Sequence, residues 1–310
     1  MAGNGVFRVG SSGFPQNSHQ RSNYWVDVLF EGVAPPSNPT TPPPTAGTVP
    51  DGYTLAWADE FDDLSLSAAS GHRWAPYFVG WNVRHLAGNN DEAVKYADDE
   101  TVNGGAKAGQ LLQNTGLWGT RSGYLHETAG GRLAIRGYPI VESQRPAFWG
   151  FPYVAGMISG QKSHSQRYGY WETRVRMTNV SQGHHFAIWL LPDDNSWPPE
   201  IDMLEVVGQH QDLIFVNAHG SGRTMTTHQV SSITDDWYVV GFHWTPTTMR
   251  WTINGKVVRE HPNYITGKNL YMLMSWEIGS NWPGKPDGST KWPAEILVDY
   301  VRIYRSDSSS

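Results

Sequence analysis

The sequence contains no cysteine among its 310 residues, which excludes disulfide bonds and thiolate metal sites. Charged residues are also scarce, at 17% against roughly 25% in an average soluble protein. The net charge is −6 and there is no basic block, which argues against nucleic acid or an acidic membrane surface as a partner. No apolar run is long enough to span a membrane as a helix, and no long segment keeps a helical period.

Aromatic residues, in contrast, are abundant: 15 Trp, 14 Tyr and 10 Phe. Their apolar faces suit sugar rings, while the indole N–H and phenol O–H can bond to hydroxyl groups. We expect more than half of them to fill a β-sandwich core and the remainder to line a cleft.

Proline and threonine divide the chain into segments. We predict the tail of an upstream accessory module at 1–31, a Pro/Thr-rich linker at 32–50, a main domain at 51–305 and a Ser-rich tail at 306–310. Thirty residues are too few to bury a core of their own. No signal peptide is recognisable, and we expect a secreted protein whose signal is missing from this chain.

Period-two alternation is the main structural pattern of the main domain. Residues 170–177 alternate apolar and charged side chains, and an Asn254-Gly255 pair between two apolar runs indicates a hairpin. Six further strands are predicted, at 184–191, 200–207, 213–219, 237–244, 270–276 and 295–305. The pattern predicts an all-β, two-sheet antiparallel jelly-roll sandwich with an open cleft walled by the long loops at 76–128 and 138–153.

Three carboxylates, Glu200, Asp202 and Glu205, crowd into one predicted strand. Glu200 and Asp202 share a face because alternate strand residues do. On a regular strand Glu205 points the other way, whereas a β-bulge near residues 203–204 brings it back.

Paired carboxylates on one face are what hydrolysis of a glycosidic bond requires. We assign Glu200 as nucleophile, Glu205 as acid/base and Asp202 as the residue that tunes and orients them, although spacing alone does not fix the order of the two Glu roles. The alternative is a solvated acidic strand face with no chemistry.

Several separated motifs resemble those of glycoside hydrolase family 16, over about residues 53–304. They are Trp-Ala-Asp-Glu-Phe at 57–61, Gly-Gly-Arg-Leu-Ala-Ile at 130–135, Tyr-Gly-Tyr-Trp-Glu at 168–172, Phe-Ala-Ile-Trp-Leu-Leu-Pro at 186–192, Glu-Ile-Asp-Met-Leu-Glu at 200–205, Asn-Trp-Pro-Gly at 281–284 and Asp-Tyr-Val-Arg-Ile-Tyr at 299–304. The resemblance implies a jelly roll that cleaves internal bonds of a β-linked polysaccharide with retention, and gives the three acids the same roles.

Within that family the chain is most similar to bacterial β-glucanases, including those that trim exopolysaccharides with β-1,3 and β-1,4 glucose. It departs from the common pattern at His184-His185 and at Ser275-Trp276-Glu277. We expect Trp276 and Glu277 to lie near the cleft and to alter or block a subsite.

Five further residues are predicted to bind substrate. Trp189 and Trp197 lie near the acids in sequence, Trp276 and Trp282 belong to segments that the resemblance places at the cleft, and His219 matches a family histidine that faces it.

The twelve histidines form no metal-ligand cluster at a recognised spacing such as His-Glu-x-x-His, and we predict no cofactor for catalysis. The resemblance implies a structural calcium away from the cleft, with Asp299 and Glu60 as ligands. Asp299 alternates with apolar residues, so it needs a partner if buried, and the alternative is an Arg or Lys.

The leading interpretation is a monomeric, secreted endo-β-glucanase whose partner is a polysaccharide, neither nucleic acid nor membrane. Three alternatives stay open: an agar- or carrageenan-type galactan as substrate, a sugar-binding jelly roll without catalysis, and transglycosylation.

Overall fold

The computed structural model describes residues 49–84, 94–97, 124–220, 224–234 and 236–307. All of them belong to a compact unit at 43–310. The predicted accessory tail at 1–31 and nearly all of the linker at 32–50 lie outside the described residues. None of the described helices is long and apolar enough to cross a membrane.

The described residues are almost entirely β. The one helix among them is a 3-10 helix at Glu142–Phe148. The strands are β1 (Tyr53–Asp59), β2 (Val94–Tyr96), β3 (His126–Thr128), β4 (Leu133–Pro139), β5 (Tyr153–Ala155), β6 (Met157–Ser159), β7 (Gly169–Thr178), β8 (His184–Pro192), β9 (Glu200–Val207), β10 (Leu213–His219), β11 (Thr224–Gln229), β12 (Trp237–Trp244), β13 (Thr248–Ile253), β14 (Lys256–Pro262), β15 (Leu270–Ile278) and β16 (Ala294–Ser306).

These strands form two sheets within the described part of the chain. The larger has the order β14-β13-β12-β7-β16-β4-β5-β2, with β1 paired to β16 and β3 to β4. The smaller has six strands in the order β11-β10-β9-β8-β15-β6. Every pairing between these strands is antiparallel except that of β2 with β5. The predicted two-sheet antiparallel sandwich is confirmed. The predicted strands and the predicted hairpin match β7 to β10 and β12 to β16, whereas β1 to β6 and β11 were not predicted.

Local sequence explains the hairpin and the alternating strand. Asn254 and Gly255 both have positive φ, 50° and 75°, the conformation that a two-residue hairpin turn needs and that these residue types tolerate. In β7 the side chains of Trp171, Val175 and Met177 enter the core, as the period-two pattern predicted. The intervening Glu172 is also buried, and the hydroxyl groups of two tyrosines donate hydrogen bonds to it.

Apolar side chains from both sheets form one core cluster. It includes several of the largest fully buried side chains: Trp171, Trp244, Trp251, Trp276, Phe186 and Phe242. Aromatic rings therefore fill much of the space between the layers, as the composition suggested. Because the inner face of the smaller sheet is closely packed, its strand backbones are held in place, and the residues on its other face are therefore fixed in position.

The core makes a stability prediction. Phe186 is fully buried and its ring centroid lies 5.0 Å from that of Trp276. Phe186→Ala should lower the free energy of unfolding by about 3–5 kcal/mol, since the site cannot collapse around the cavity. Denaturant unfolding measures the change. Val257→Ala, at an exposed position on β14, is the control and should change it by less than about 0.5 kcal/mol. Equal effects would contradict the assigned core.

Candidate active site

Strand β9 carries an extra residue, and this sets the geometry of the three acids. Against β8, Leu204 pairs with Ile188 but Asp202 pairs with Trp189, so Met203 has no partner. The same shift appears against β10, between the pairs of Glu205 and Asp202. The predicted bulge is therefore present. It returns Glu205 to the face that carries Glu200 and Asp202.

That face of the smaller sheet, here called the site face, is the one turned away from the core. Cross-strand register identifies its members, because directly paired residues point the same way. They are Glu200, Asp202 and Glu205 on β9, His185, Ala187 and Trp189 on β8, Phe215, Asn217 and His219 on β10, and Ser275 and Glu277 on β15. Four carboxylates and two histidines thus share one surface.

His219 joins the first two acids. Its Nε2 lies 3.2 Å from Oε1 of Glu200 and 3.2 Å from Oδ2 of Asp202. The indole Nε1 of Trp197 donates a hydrogen bond of 2.9 Å to the other oxygen of Glu200. From below, Nε1 of Trp251 on β13 donates to the backbone carbonyl of Asp202 at 2.9 Å. The larger sheet thereby braces the bulged strand.

Crowding shifts the protonation of this group. Burial, and then the charge of Asp202, raises the pKa of Glu200. Burial and the charge of Glu205 raise the pKa of Asp202, while the hydrogen bond to Asp202 raises the pKa of His219. The ligand-type atoms of Glu200, Asp202 and His219 lie within 4.8 Å of one another. We assign this closeness to proton sharing, because the shifts of all three groups favour keeping protons.

Glu205 has different surroundings. Nε2 of His185 lies within hydrogen-bond distance of its Oε1, at 3.2 Å. Nδ1 of the same ring lies 3.1 Å from Oε2 of Glu277, an ion-pair distance at which the N–H direction is poorly aligned with the oxygen. Burial opposes charge on His185, but Glu277 and Glu205 together raise its pKa to about 10. His185 is therefore an imidazolium at neutral pH, held between two carboxylates.

The sequence profile of Glycosyl hydrolases family 16 matches residues 142–302, slightly more than half of the chain and including all three acids. The chain belongs to glycosyl hydrolase family 16. The predicted resemblance is confirmed.

Two curated relatives of this family 16 chain are named as endo-1,3-1,4-beta-glycanases. An endo-1,3-1,4-beta-glycanase EglC of Rhizobium meliloti is 28% identical over 82% of this chain and 52% of its own length. An endo-1,3-1,4-beta-glycanase ExsH of the same organism is 29% identical over 57% of this chain and 39% of its own length. The chain thus spans about half or less of these relatives. The solved laminarinase of Rhodothermus marinus superposes with a TM-score of 0.62 at 23% identity, covering 82% of this chain and 97% of the other, which supports the fold.

The tryptophans predicted to bind substrate have three different environments. Trp197 and Trp282 are exposed, at 60% and 39%, and each has its ring near a site-face histidine. Trp189 lies on the site face but is only 7% exposed, and its Nε1 donates to Oγ of Ser275. The prediction for Trp276 is wrong. It is fully buried on the core side of β15, where its Nε1 donates to the carbonyl of Ile135, and Glu277 takes the site-face position instead.

The two carboxylates predicted as calcium ligands have arginine partners. Asp299 contacts Arg174 at 2.6 Å and Arg132 at 3.1 Å. Glu60 forms two bonds, of 2.8 and 2.9 Å, with Arg302. Asp299 is half-buried rather than on an apolar face, because a register shift between residues 298 and 300 changes the phase of β16. The arginine alternative is therefore the one observed, and a structural calcium stays an untested prediction.

Sequence reasoning noted His185 as a departure from the family pattern without giving it a role, and it expected Glu277 to alter or block a subsite rather than to face His185. It missed Asn217, whose Nδ2 lies 3.1 Å from Nε2 of His219. It also missed Trp251, which reaches the acids only through the fold. For Asn217 a signal existed, since it alternates with His219 on the strand that follows the acids. For Trp251 none existed.

Adjacent histidines on β8 provide a direct test of the site's electrostatics. His185 should stay protonated through pH 8, because its pKa is raised to about 10. Its contribution to folding stability should be full below about pH 6.5, the unfolded value, and fall as the pH rises through the folded pKa. His184 is the internal control, since burial lowers its pKa to about 4. Side-chain 15N NMR reports both rings, and a neutral His185 at pH 8 would contradict the assigned ion pairs.

Proposed function

We propose that this protein is a retaining endo-glycosidase that cleaves internal β-glycosidic bonds of a β-1,3/1,4-glucan or a related bacterial exopolysaccharide. The observation that carries the proposal is the bulge at Met203, which gathers Glu200, Asp202 and Glu205 on one face of a rigid sheet. A solvated acidic face has no need of such a bulge, nor of carboxylates that are largely buried. Retention requires two carboxyl groups roughly 5–5.5 Å apart, a spacing that one bulged strand suits.

In the first step, an oxygen of Glu200 attacks the anomeric carbon as the glycosidic bond breaks. Glu205 gives its proton to the departing sugar oxygen, and a covalent glycosyl-enzyme forms. Trp197 and His219 both contact Glu200 and favour its ionised form, which the attack requires. Asp202 is placed to share a proton with the group through His219.

In the second step, water attacks the same carbon. Glu205, now ionised, takes a proton from that water, the bond to Glu200 breaks, and the sugar leaves with its original anomeric configuration. Glu205 must therefore alternate between acid and base within one turnover. A sugar hydroxyl in place of water would give transglycosylation through the same intermediate.

The choice of β-glucan rests on the relatives' names, endo-1,3-1,4-beta-glycanase and beta-glucanase. The exposed rings of Trp197 and Trp282 suit stacking on sugars. We also propose that the protein acts outside the cell, because its polymeric substrate does not enter cells, and that one copy suffices because the described site residues come from one chain.

The nucleophile assignment is tested by Glu200→Gln. This isosteric change removes the attacking charge and should lower kcat on β-glucan by more than about a thousandfold. Reducing-sugar release measures it. Glu260→Gln on β14, an exposed carboxylate bonded to Arg250, is the control and should leave kcat unchanged. Unchanged hydrolysis in Glu200→Gln would refute the assignment.

The same assay on a panel of glycans separates the alternatives. Release from agar or carrageenan but from no β-glucan would transfer the proposal to a galactan. Binding without release from any glycan would indicate a non-catalytic sugar-binding protein. The anomer of the first product, read by 1H NMR, decides retention, and mass spectrometry of products longer than the substrate detects transglycosylation.

Trp197→Phe makes a prediction about pH. Loss of the indole donor removes an interaction that lowers the pKa of Glu200. As the pH falls, a carboxylate with a higher pKa takes up its proton, and so stops acting as a nucleophile, at a higher pH. The acidic limb of the kcat/KM profile should therefore move up by about half a pH unit. Trp282→Phe, whose ring contacts His185 and Phe215, is the control and should leave that limb in place. A downward shift in Trp197→Phe would contradict the role of the bond.

A further inference from the structure

We propose that His185 and Glu277 form a charge-balanced positioning pair for Glu205, fixing which of its oxygens carries the catalytic proton. The inference rests on the proposed function, because it gives a role to the surroundings of the acid/base. It concerns two residues that lie on strands flanking β9 on one side, β8 and β15, far apart in the sequence.

The geometry determines which oxygen of Glu205 faces His185 and which is left for the substrate. Glu277 pairs with His185 across β15 and β8, and His185 pairs with Val207 on β9, so the imidazole stands between the two carboxylates. The hydrogen bond from Nε2 of His185 occupies Oε1 of Glu205. Oε2 of Glu205 is buried and has no hydrogen-bond partner among the described residues. That second oxygen is therefore the one left to hold a proton for the substrate.

Packing holds the imidazole in this orientation. The ring of Trp282 lies against it, with centroids 4.8 Å apart and planes at 63°. Oγ of Ser280 donates a hydrogen bond of 3.4 Å to Oε2 of Glu277, the same oxygen that faces Nδ1 of His185. An imidazole with both nitrogens facing carboxylates and an indole in edge contact has little freedom to rotate.

Charge balance explains why the pair has two members. An imidazolium alone beside Glu205 would favour the ionised carboxylate, which has no proton to donate. Glu277 supplies a compensating negative charge on the far side of the ring. The charged groups facing His185 are Glu205 and the more distant Asp202 on β9, and Glu277 on β15. The pair thus orients Glu205 while adding no net charge beside it.

Opposite substitutions test this balance. In His185→Gln the amide can still donate, but the negative charge of Glu277 is left uncompensated near Glu205 and favours the protonated acid. The alkaline limb of the kcat/KM profile, where the acid loses its proton, should move up by about one unit. In Glu277→Gln the imidazolium is uncompensated, and the limb should move down by a similar amount. The double variant should return to within about half a unit of the wild-type position.

A leaving-group series separates positioning from structural damage. Aryl β-glucosides with a good leaving group need little help from an acid, whereas glucan oligosaccharides need it fully. Both single variants should lose about ten- to a hundredfold in kcat/KM on oligosaccharides and much less on the activated aryl glycoside. Equal losses on both substrates would show that the pair serves only the fold.

His184→Gln is the matched control on the same strand. His184 faces Trp292 and Trp276 in the core, with ring centroids 4.6 and 5.9 Å away, and has no carboxylate contact among the described residues. The His184→Gln variant should lower the midpoint of unfolding without moving the alkaline limb of the kcat/KM profile. Shifts of both site variants in one direction, or none in either, would overturn the proposal.

Carboxyl 13C NMR of the same variants keeps this test independent of activity. At one fixed pH, the carboxyl resonance of Glu205 should move towards that of the protonated form in His185→Gln and towards that of the carboxylate in Glu277→Gln, even if the wild-type protein releases no sugar from β-glucan. Inactivity of the wild type would thus refute the proposed function. An unmoved Glu205 resonance would refute the positioning pair.

Discussion

Mutual repulsion among buried carboxylates is the constraint that organises this molecule. Four carboxylates from β9 and β15 share the site face: Asp202 and Glu205 are buried, and Glu200 and Glu277 are half-buried. Like charges this close strongly resist being ionised together. Two histidines relieve the repulsion in different ways. His219 bridges Glu200 and Asp202 through a single nitrogen, while His185 uses both nitrogens to separate Glu205 from Glu277. The site face thus has two groups, Glu200 with Asp202 around His219 and Glu205 with Glu277 around His185.

The two-layer fold supplies the stiffness that this arrangement needs. Without a rigid support, mutually repelling carboxylates would turn away from one another into solvent. Here the strands beneath them pack on a core of large aromatic rings, and Trp251 reaches through that core to hold the backbone of the bulge. Stability stored in apolar packing therefore keeps polar groups in an arrangement that is unfavourable by itself.

Sequence reasoning predicted the sandwich, the strand positions, the bulge and the three acids, because each leaves a local pattern. Period two gives the strands, Asn254-Gly255 gives a turn, and the spacing of the acids requires one extra residue. Sequence reasoning failed where the pattern of apolar residues does not show which side of the sheet each residue faces. Strand β15 is buried on nearly every position, so its sequence does not show which residues face the site, and Trp276 was placed one residue out.

The prediction that Asp299 lies on an apolar face was wrong for a related reason. The register shift in β16 cannot be read from the apolar residues around Asp299. The contacts of His185 with Glu277, and of Trp251 with Asp202, depend on strands being brought together from distant parts of the chain. No local pattern encodes them.

The unpaired residue at Met203 sets the distance between the second and third acids rather than the face that they share. If this one buried methionine were removed, β9 would alternate evenly, Glu205 would follow Asp202 by two residues, and the three acids would still share the site face with Leu204 in the core. The strand would lose the local bend and the extra twist that a bulge produces. The bulge therefore shapes the surface on which the acids stand, and a variant without Met203 would keep every acid on its face while changing the separation of their carboxyl groups.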